Sequence, residues 1–365
     1  MLGGLTAAQF MRRHWQKKPL LIRQAFADFV PLMSRKALFD MAADPAVESR
    51  LIVQQPEGWR LRQGPLPRSA LPPLKQPGWT MLVQGVDLHL DAAHRLLQRF
   101  RFVPDARLDD LMISWASEGG GVGPHYDSYD VFLLQATGQR RWRIGRQKDL
   151  ALQEGVPLKI LSQFEPEEEH VLNPGDMLYL PPRWAHDGVA VGGDCSTYSV
   201  GFRAPQRGGL AGELLLRMAD EHEDSSLYRD PEQTATATPA AMPPALEAFA
   251  SDALHRLLAE RQSLACALGE VMTEPKPRVW FDEPSDEWAP RGLRLDRRTR
   301  MMYDKQHVFI NGESFRAAGA DARLMRTLAD QRWLEGRRVQ AASASAQTLL
   351  QDWFEAGWLL LEPAA

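Results

Sequence analysis

His125 and Asp127 stand two residues apart in the run Pro124-His125-Tyr126-Asp127-Ser128-Tyr129-Asp130. In an extended segment residues i and i+2 point to the same face, so an imidazole and a carboxylate can be aimed at one point. Two such ligands do not complete a metal site, and a third must come from elsewhere in the chain. The stretch Asn173-Pro174-Gly175-Asp176-Met177-Leu178-Tyr179-Leu180-Pro181-Pro182-Arg183-Trp184-Ala185-His186 offers one. A turn at Pro174-Gly175 launches a short strand, Pro181-Pro182 ends it, and His186 follows. Two histidines and one carboxylate form a facial set that leaves three coordination positions open and suits non-haem Fe(II). Two of those positions can take a chelating 2-oxo acid and the third O2. His170 is the rival third ligand. It follows the acidic run Glu165-Pro166-Glu167-Glu168-Glu169, read as a solvated loop, and ranks below His186. His14, His89, His94, His222, His255 and His307 belong to no such constellation and are read as structural or exposed.

The segment after Asp127 adds a cation. Residues 131–134 are an apolar run that reads as a buried strand, and Ala136-Thr137-Gly138-Gln139 reads as a hairpin turn with Gly138 free to take positive φ. On the return strand Arg140, Trp142 and Ile144 share one face, and Arg141 and Arg143 the other. The face with Trp and Ile is expected inside, which makes Arg140 a buried cation, costly unless an anion pairs with it. No acidic residue stands at an obvious cross-strand position. A small carboxylate ligand would meet a guanidinium fork bidentately. With the turn at 136–139, Arg140 pairs near Gln135 and lies on the order of 20 Å along the strand from Asp127. Two long side chains and a five-carbon ligand bridge most of that distance if the chain bends after Asp127.

These residues need a scaffold. The 365 residues are 44% hydrophobic and 25% charged, an ordinary globular composition with length enough for two or three domains. A net charge of −4 does not suggest nonspecific nucleic-acid binding. Two cysteines, Cys195 and Cys266, build neither a disulfide framework nor a cysteine zinc site, which fits a reducing cytoplasm. No signal peptide and no apolar run of membrane-spanning length is read.

In chain order, Thr6 caps a helix over 7–15, residues 19–23 form a strand, and Ser34 caps a second helix ending at Met41. Short strands follow at 51–54, 59–62 and 80–86, with a helix over 91–101. From Leu111 the pattern becomes short strands with Gly and Pro turns: 111–115, then 171–172, 177–180, 188–191 and 197–203. This density favours a double-sheet barrel or jelly roll, whose interior can hold a metal and a small ligand. After Pro205 the pattern turns helical, over 210–221 and 246–270, separated by a Thr-, Ala- and Pro-rich loop at 233–244. Beyond Pro275-Lys276-Pro277, an Asn311-Gly312 hairpin, helices over 321–332 and 345–355, and a strand at 358–361 suggest a winged-helix-like module without a dense basic recognition helix.

Three stretches resemble the bacterial JmjC-type ribosomal oxygenases: Leu111-Met112-Ile113-Ser114 through Asp127; Asp130-Val131-Phe132 with Arg140-Arg141-Trp142-Arg143; and Tyr198-Ser199-Val200-Gly201-Phe202-Arg203-Ala204-Pro205. Trp15-Gln16-Lys17-Lys18-Pro19-Leu20-Leu21-Ile22 is similar to that family's opening. The resemblance implies a mainly β fold with α: a double-stranded β-helix of the JmjC and cupin kind over 1–207, a helical dimerisation region over 208–275 and a winged-helix-like domain over 276–365. It implies a 2-oxoglutarate-dependent dioxygenase using Fe(II), 2-oxoglutarate and O2, which hydroxylates the β-carbon of an arginine in a large-subunit ribosomal protein, the sixteenth of that set. His125, Asp127 and His186 match the iron ligands, Arg140 the residue that grips the far carboxylate of 2-oxoglutarate, and Ser114 and Ser199 further co-substrate contacts. Tyr126, Tyr129 and Asp130 are candidates to line the pocket for the target arginine. The family reading also implies a cytoplasmic homodimer with no membrane association and no direct nucleic-acid binding. Two alternatives stand beside it: a JmjC enzyme hydroxylating histidine in another ribosomal protein, and a non-enzymatic sensor of metal or 2-oxoglutarate that binds DNA through its C-terminal module.

Overall fold

Thr6 opens the first element with a capping box: its hydroxyl accepts from Gln9 N, and the Gln9 side chain accepts from Thr6 N. The computed structural model describes residues 1–221, 224–259 and 261–362. Its contacts divide the chain into two units, Met1–Ala204 and Pro205–Ala365.

The first unit runs α1 (Ala7–Arg13), β1 (Leu20–Ile22), α2 (Arg35–Ala42), β2 (Ser49–Gln55), β3 (Gly58–Gln63), β4 (Trp79–Val83), α3 (Asp91–Gln98), β5 (Leu108–Ala116), β6 (His125–Tyr126), β7 (Val131–Gly145), β8 (Glu168–Leu172), β9 (Met177–Leu180) and β10 (Ala185–Phe202). The strands pair antiparallel in the order β1-β9-β7-β10-β5-β4-β2-β3, with β6 added to β10 and β8 to β7. This is the expected jelly roll. One side of the sheet is covered by α1, α2 and α3, whose Phe10, Leu38 and Leu97 join Trp79, Phe132, Tyr179 and Phe202 in the main core. A smaller cluster, Val131, Leu133, Trp142, Ile144, Leu172, Leu178 and Leu180, lines the opposite face, inside the roll.

Residues 136–139 depart from the expected hairpin turn. No hairpin forms there; β7 continues through Gly138, and both of its halves pair with β10. The two strands expected at 188–191 and 197–203 are likewise one strand. The long strands stay continuous because both bulge: the register shifts between Val191 and Ser196, where β10 has the extra residues, and between Ser196 and Thr197, where Ala136 is extra in β7. Gly138 sits at φ 61°, where a Cβ would lie 3.0 Å from the Asp194 carbonyl oxygen. An extra residue in a strand exchanges its faces. Before the bulge the odd positions, Val131 and Leu133, face inward; after it the even ones, Trp142 and Ile144, do. Arg140 therefore lies inside, as expected, but by a bulge instead of a turn. It pairs with Ala190 and Leu172, not near Gln135.

The second unit contains α4 (Arg207–Glu221), α5 (Pro244–Ala259), α6 (Arg261–Thr273), β11 (Leu293–Leu295), β12 (Met301–Tyr303), β13 (His307–Ile310), β14 (Glu313–Arg316), α7 (Gly319–Gln331), β15 (Trp333–Leu334), α8 (Gly336–Gln340), α9 (Ala344–Glu355) and β16 (Leu359–Leu361). The single helix expected over 246–270 is two helices, with residue 260 outside the described residues. Asn311 and Gly312, at φ 48° and 90°, make the expected hairpin between β13 and β14. Leu293, Leu328, Leu350, Trp353 and Leu359 centre the core of this part. Helix α8 was not foreseen: five residues with one buried side chain, Val339, carry no readable period.

Candidate metal and co-substrate site

Strand pairing assembles the site. His186, near the start of β10, pairs with Ile144 of β7 on one side and His125 of β6 on the other. The two imidazole centroids are 4.2 Å apart at 58°. Asp127 follows β6, and its backbone carbonyl accepts from Arg183 N at 2.7 Å. Arg183 takes φ 66° in the turn after Pro181-Pro182, so this turn ties the approach to β10 to Asp127. Asp127 Oδ2 then lies 3.7 Å from His186 Nε2. One ligand atom from each of His125, Asp127 and His186 falls within 4.8 Å of the others.

The protonation of both rings follows from their neighbours. His125 Nδ1 is 2.9 Å from the Gly123 carbonyl oxygen, and His186 Nδ1 is 2.9 Å from that of Trp184. A carbonyl only accepts, so each Nδ1 carries the hydrogen and donates, leaving Nε2 with a lone pair. Burial, and then the neighbouring His125, push the His186 pKa down to about 4. A neutral imidazole is the form that ligates. The trio therefore fits a divalent metal in its donor atoms, their convergence and their protonation. His170 is not part of it; its Nε2 lies 2.8 Å from Glu168 Oε2 on β8. Glu168 and Glu169 belong to that strand and not to the loop expected from the acidic run.

Arg140 is 3% exposed, and its Nε and Nη2 have no partner among the described residues. Its cross-strand neighbours, Ala190 and Leu172, offer no anion. A buried guanidinium left this way is costly, and a carboxylate accepting at both nitrogens removes the cost. Reach is shorter than the sequence estimate. Arg140 is four residues along β7 from Ile144, the partner of His186, or about 13 Å at strand rise. The Trp142 ring spans part of that interval, with its centroid 5.7 Å from the guanidinium carbon and 5.8 Å from the His186 ring. Ser114 pairs with Thr197 and Ser199 with Leu133. Their neighbours Ile113, Trp115, Tyr198 and Val200 belong to the outer core, so alternation turns both serines inward.

The candidates for lining an arginine pocket separate. Asp130 is fully buried on the helix-covered side: it accepts from Tyr179 Oη at 2.6 Å, Gln16 Nε2 at 3.0 Å and Arg107 Nη2 at 3.2 Å. It fastens the N-terminal segment to the sheet and is not available to a substrate. Tyr129 is 39% exposed and lies close enough to Asp127 to feel its charge. Burial and the Asp127 charge together hold its hydroxyl above the ordinary tyrosine range. Tyr126 is half-buried and pairs with Ala185.

A jelly roll whose interior gathers two histidines, an aspartate and an inward arginine defines the class of the JmjC-domain oxygenases. Residues 95–210 match the JmjC domain family, and residues 256–360 the ROXA-like winged helix. The chain is 34% identical over 289 residues, 78% of its length and 76% of the relative's, to the ribosomal protein uL16 3-hydroxylase of Escherichia coli K12. Its structure superimposes on the X-ray structure of E. coli YcfD with TM-score 0.86 at 30% identity, covering 98% of this chain and 99% of that one. It also matches YcfD, described as a ribosomal oxygenase, in complex with cobalt and 2-oxoglutarate, with TM-score 0.83, 29% identity and 99% of each chain covered. The chain belongs to the JmjC-type ribosomal oxygenase family, with a winged-helix domain at its C-terminus.

Proposed function

We propose that this protein is an Fe(II)- and 2-oxoglutarate-dependent hydroxylase of a large-subunit ribosomal protein, and that its target is the β-carbon of an arginine in uL16. The observation that carries the reading is the convergence of His125, Asp127 and His186 in the same interior as Arg140, whose Nε and Nη2 have no hydrogen-bond partner among the described residues. The relative that hydroxylates uL16 shares most of its length with this chain, and the related structure with cobalt and 2-oxoglutarate matches it end to end.

In this reading Nε2 of His125, Nε2 of His186 and a carboxylate oxygen of Asp127 hold the iron. Arg140 holds the distal carboxylate of 2-oxoglutarate, and Ser114 and Ser199 orient the acid along the interior. The bound metal supplies oxygen activation coupled to decarboxylation of 2-oxoglutarate to succinate and CO2. The protein's work is placement. The Nδ1 bonds to Gly123 and Trp184 fix both imidazole planes, and the Arg183 N bond to the Asp127 carbonyl fixes the Asp127 backbone. Leu133, Trp142 and Leu178 keep the interior dry.

The same reading divides the chain into a catalytic domain over 1–207, a dimerisation region over 208–275 and a winged-helix domain over 276–365. Support for a homodimer comes from apolar side chains left uncovered at helical spacing, Leu254 and Leu258 on α5 and Leu264 and Leu268 on α6. Among the described residues no helix is long and apolar enough to cross a membrane. The same reading places the protein in the cytoplasm with its ribosomal-protein substrate, without direct nucleic-acid contact. The test is mass spectrometry of ribosomal proteins incubated with the iron-loaded enzyme, 2-oxoglutarate and O2. The expected result is one added oxygen on a uL16 arginine with stoichiometric succinate. An unmodified uL16 in the presence of active, iron-loaded protein rejects the proposal.

A further inference from the structure

We propose that Trp142 is a second donor to the co-substrate, its indole N–H bonding the same distal carboxylate that Arg140 grips. The inference rests on reading the interior as a 2-oxoglutarate site. Trp142 is 5% exposed, and its Nε1 has no hydrogen-bond partner among the described residues. Buried tryptophan N–H groups normally find one, because leaving the donor unmet is costly.

The ring is seated over a glycine, which sets its plane. A Cβ built on Gly188, the cross-strand neighbour of Trp142, would meet Cζ3, Cη2 and Cε3 of the indole at 2.5, 2.6 and 2.8 Å. The benzo ring therefore lies face-on over the space that a side chain at 188 would fill. The Nε1–H bond lies in the indole plane, so it runs across Gly188 and not into its backbone. The side chains that pack with the ring on this face include Ile144, Leu172 and Leu178, which offer no acceptor.

Arg140, two residues along the same strand and on the same face, carries two more orphaned donors. Its guanidinium carbon stands 5.7 Å from the Trp142 centroid, and its Nε and Nη2 are also buried and unmet. Three donors grouped beside the metal trio, with no acceptor among them, call for an acceptor with several lone pairs. A carboxylate has about four such sites on its two oxygens. Trp142 would then discriminate for a 2-oxo acid with a second carboxylate, in addition to holding the arginine by its π-face.

The experiment compares wild type with Trp142→Phe, which keeps an aromatic ring on Gly188 and removes the N–H. Both proteins are loaded with Mn(II) without O2 and titrated calorimetrically with 2-oxoglutarate and with 2-oxobutyrate, which lacks the distal carboxylate. The variant is expected to bind 2-oxoglutarate about tenfold more weakly, with Mn(II) and 2-oxobutyrate affinities unchanged. Unchanged 2-oxoglutarate binding, or an equal loss for both acids, overturns the proposal. The unmodified protein gives a second reading. Loaded with Zn(II), one indole N–H resonance among its 11 tryptophans should move downfield with 2-oxoglutarate and not with 2-oxobutyrate. No carboxylate-dependent shift overturns the assignment even if the phenylalanine variant does not fold. Failure of wild type to bind 2-oxoglutarate at all would remove the underlying reading of the site, and this inference with it.

Discussion

Asp127 Oδ2 stands 3.7 Å from His186 Nε2, and the Asp127 carbonyl accepts from Arg183 in the turn that leads into the strand carrying His186. Asp127 and the entry to that strand are thus one unit. Replacing Asp127 or His186 by Ala is expected to weaken divalent-metal binding by more than about 100-fold, because removing even an outer partner of a ligand costs 10–100-fold. Metal titration followed by succinate release checks this. Full metal affinity in His186→Ala would exclude it from the ligand set.

Arg140 should act on the co-substrate and not on the metal. Arg140→Ala is expected to raise the KM for 2-oxoglutarate on the order of 100-fold, since it removes two charge-assisted bonds from a buried carboxylate. Arg140→Lys should recover part of the loss as a single point charge. The Kd for Mn(II) should not move in either variant. An unchanged KM in the alanine variant would show that the guanidinium faces something else.

Asp130 and Tyr179 hold the N-terminal segment against the sheet. The Tyr179 hydroxyl donates to Asp130 at 2.6 Å and accepts from Gln16 N at 2.8 Å. Tyr179→Phe should destabilise the first unit by about 1–3 kcal/mol, the range for leaving buried polar groups unmet. Denaturant unfolding measures this, with metal affinity as the control expected to remain intact.

Asp176 links stability to acid. Burial alone would raise its pKa, but bonds from Asn173 N, Gln24 N and Arg23 hold it below the ordinary carboxylate value. A carboxylate depressed in the folded state contributes stability above its unfolded pKa and loses it as pH falls through the folded one. Asp176→Asn should therefore lower Tm at neutral pH, and its deficit against wild type should shrink as pH drops through about 4 towards 2. A deficit independent of pH would assign the effect to packing.

The uncovered leucines of α5 predict an oligomer. Leu254, 55% exposed, and Leu258, 52% exposed, lie one helical turn apart. Leu254→Lys together with Leu258→Lys is expected to convert a dimer into a monomer in light scattering, with each unit still folded. A wild-type monomer at micromolar concentration would remove the dimer from the proposal.

Local signals were legible in the sequence. The Thr6 and Ser34 caps, the strand at 177–180 and the Asn311-Gly312 turn depend on a few adjacent residues and stand where their chemistry places them. The types of the chemistry-bearing residues were legible too, because His-x-Asp and a histidine after a Pro-ended strand carry their own spacing. Gly138 shows where such reading stops. A glycine at positive φ serves a hairpin and a bulge equally, and only pairing of both halves of β7 with β10 selects the bulge. That choice exchanged the faces of β7 and β10 and set which side chains meet inside. Asp130 likewise reads as a pocket acid until Tyr179, Gln16 and Arg107 are found around it. The seat of Trp142 on Gly188 has no local mark at all. Sequence by itself determined the candidate donor types and the short elements, because capping and turn energies act over three or four residues. Tertiary structure decided register, facing and partnership, because these come from contacts between strands far apart along the chain.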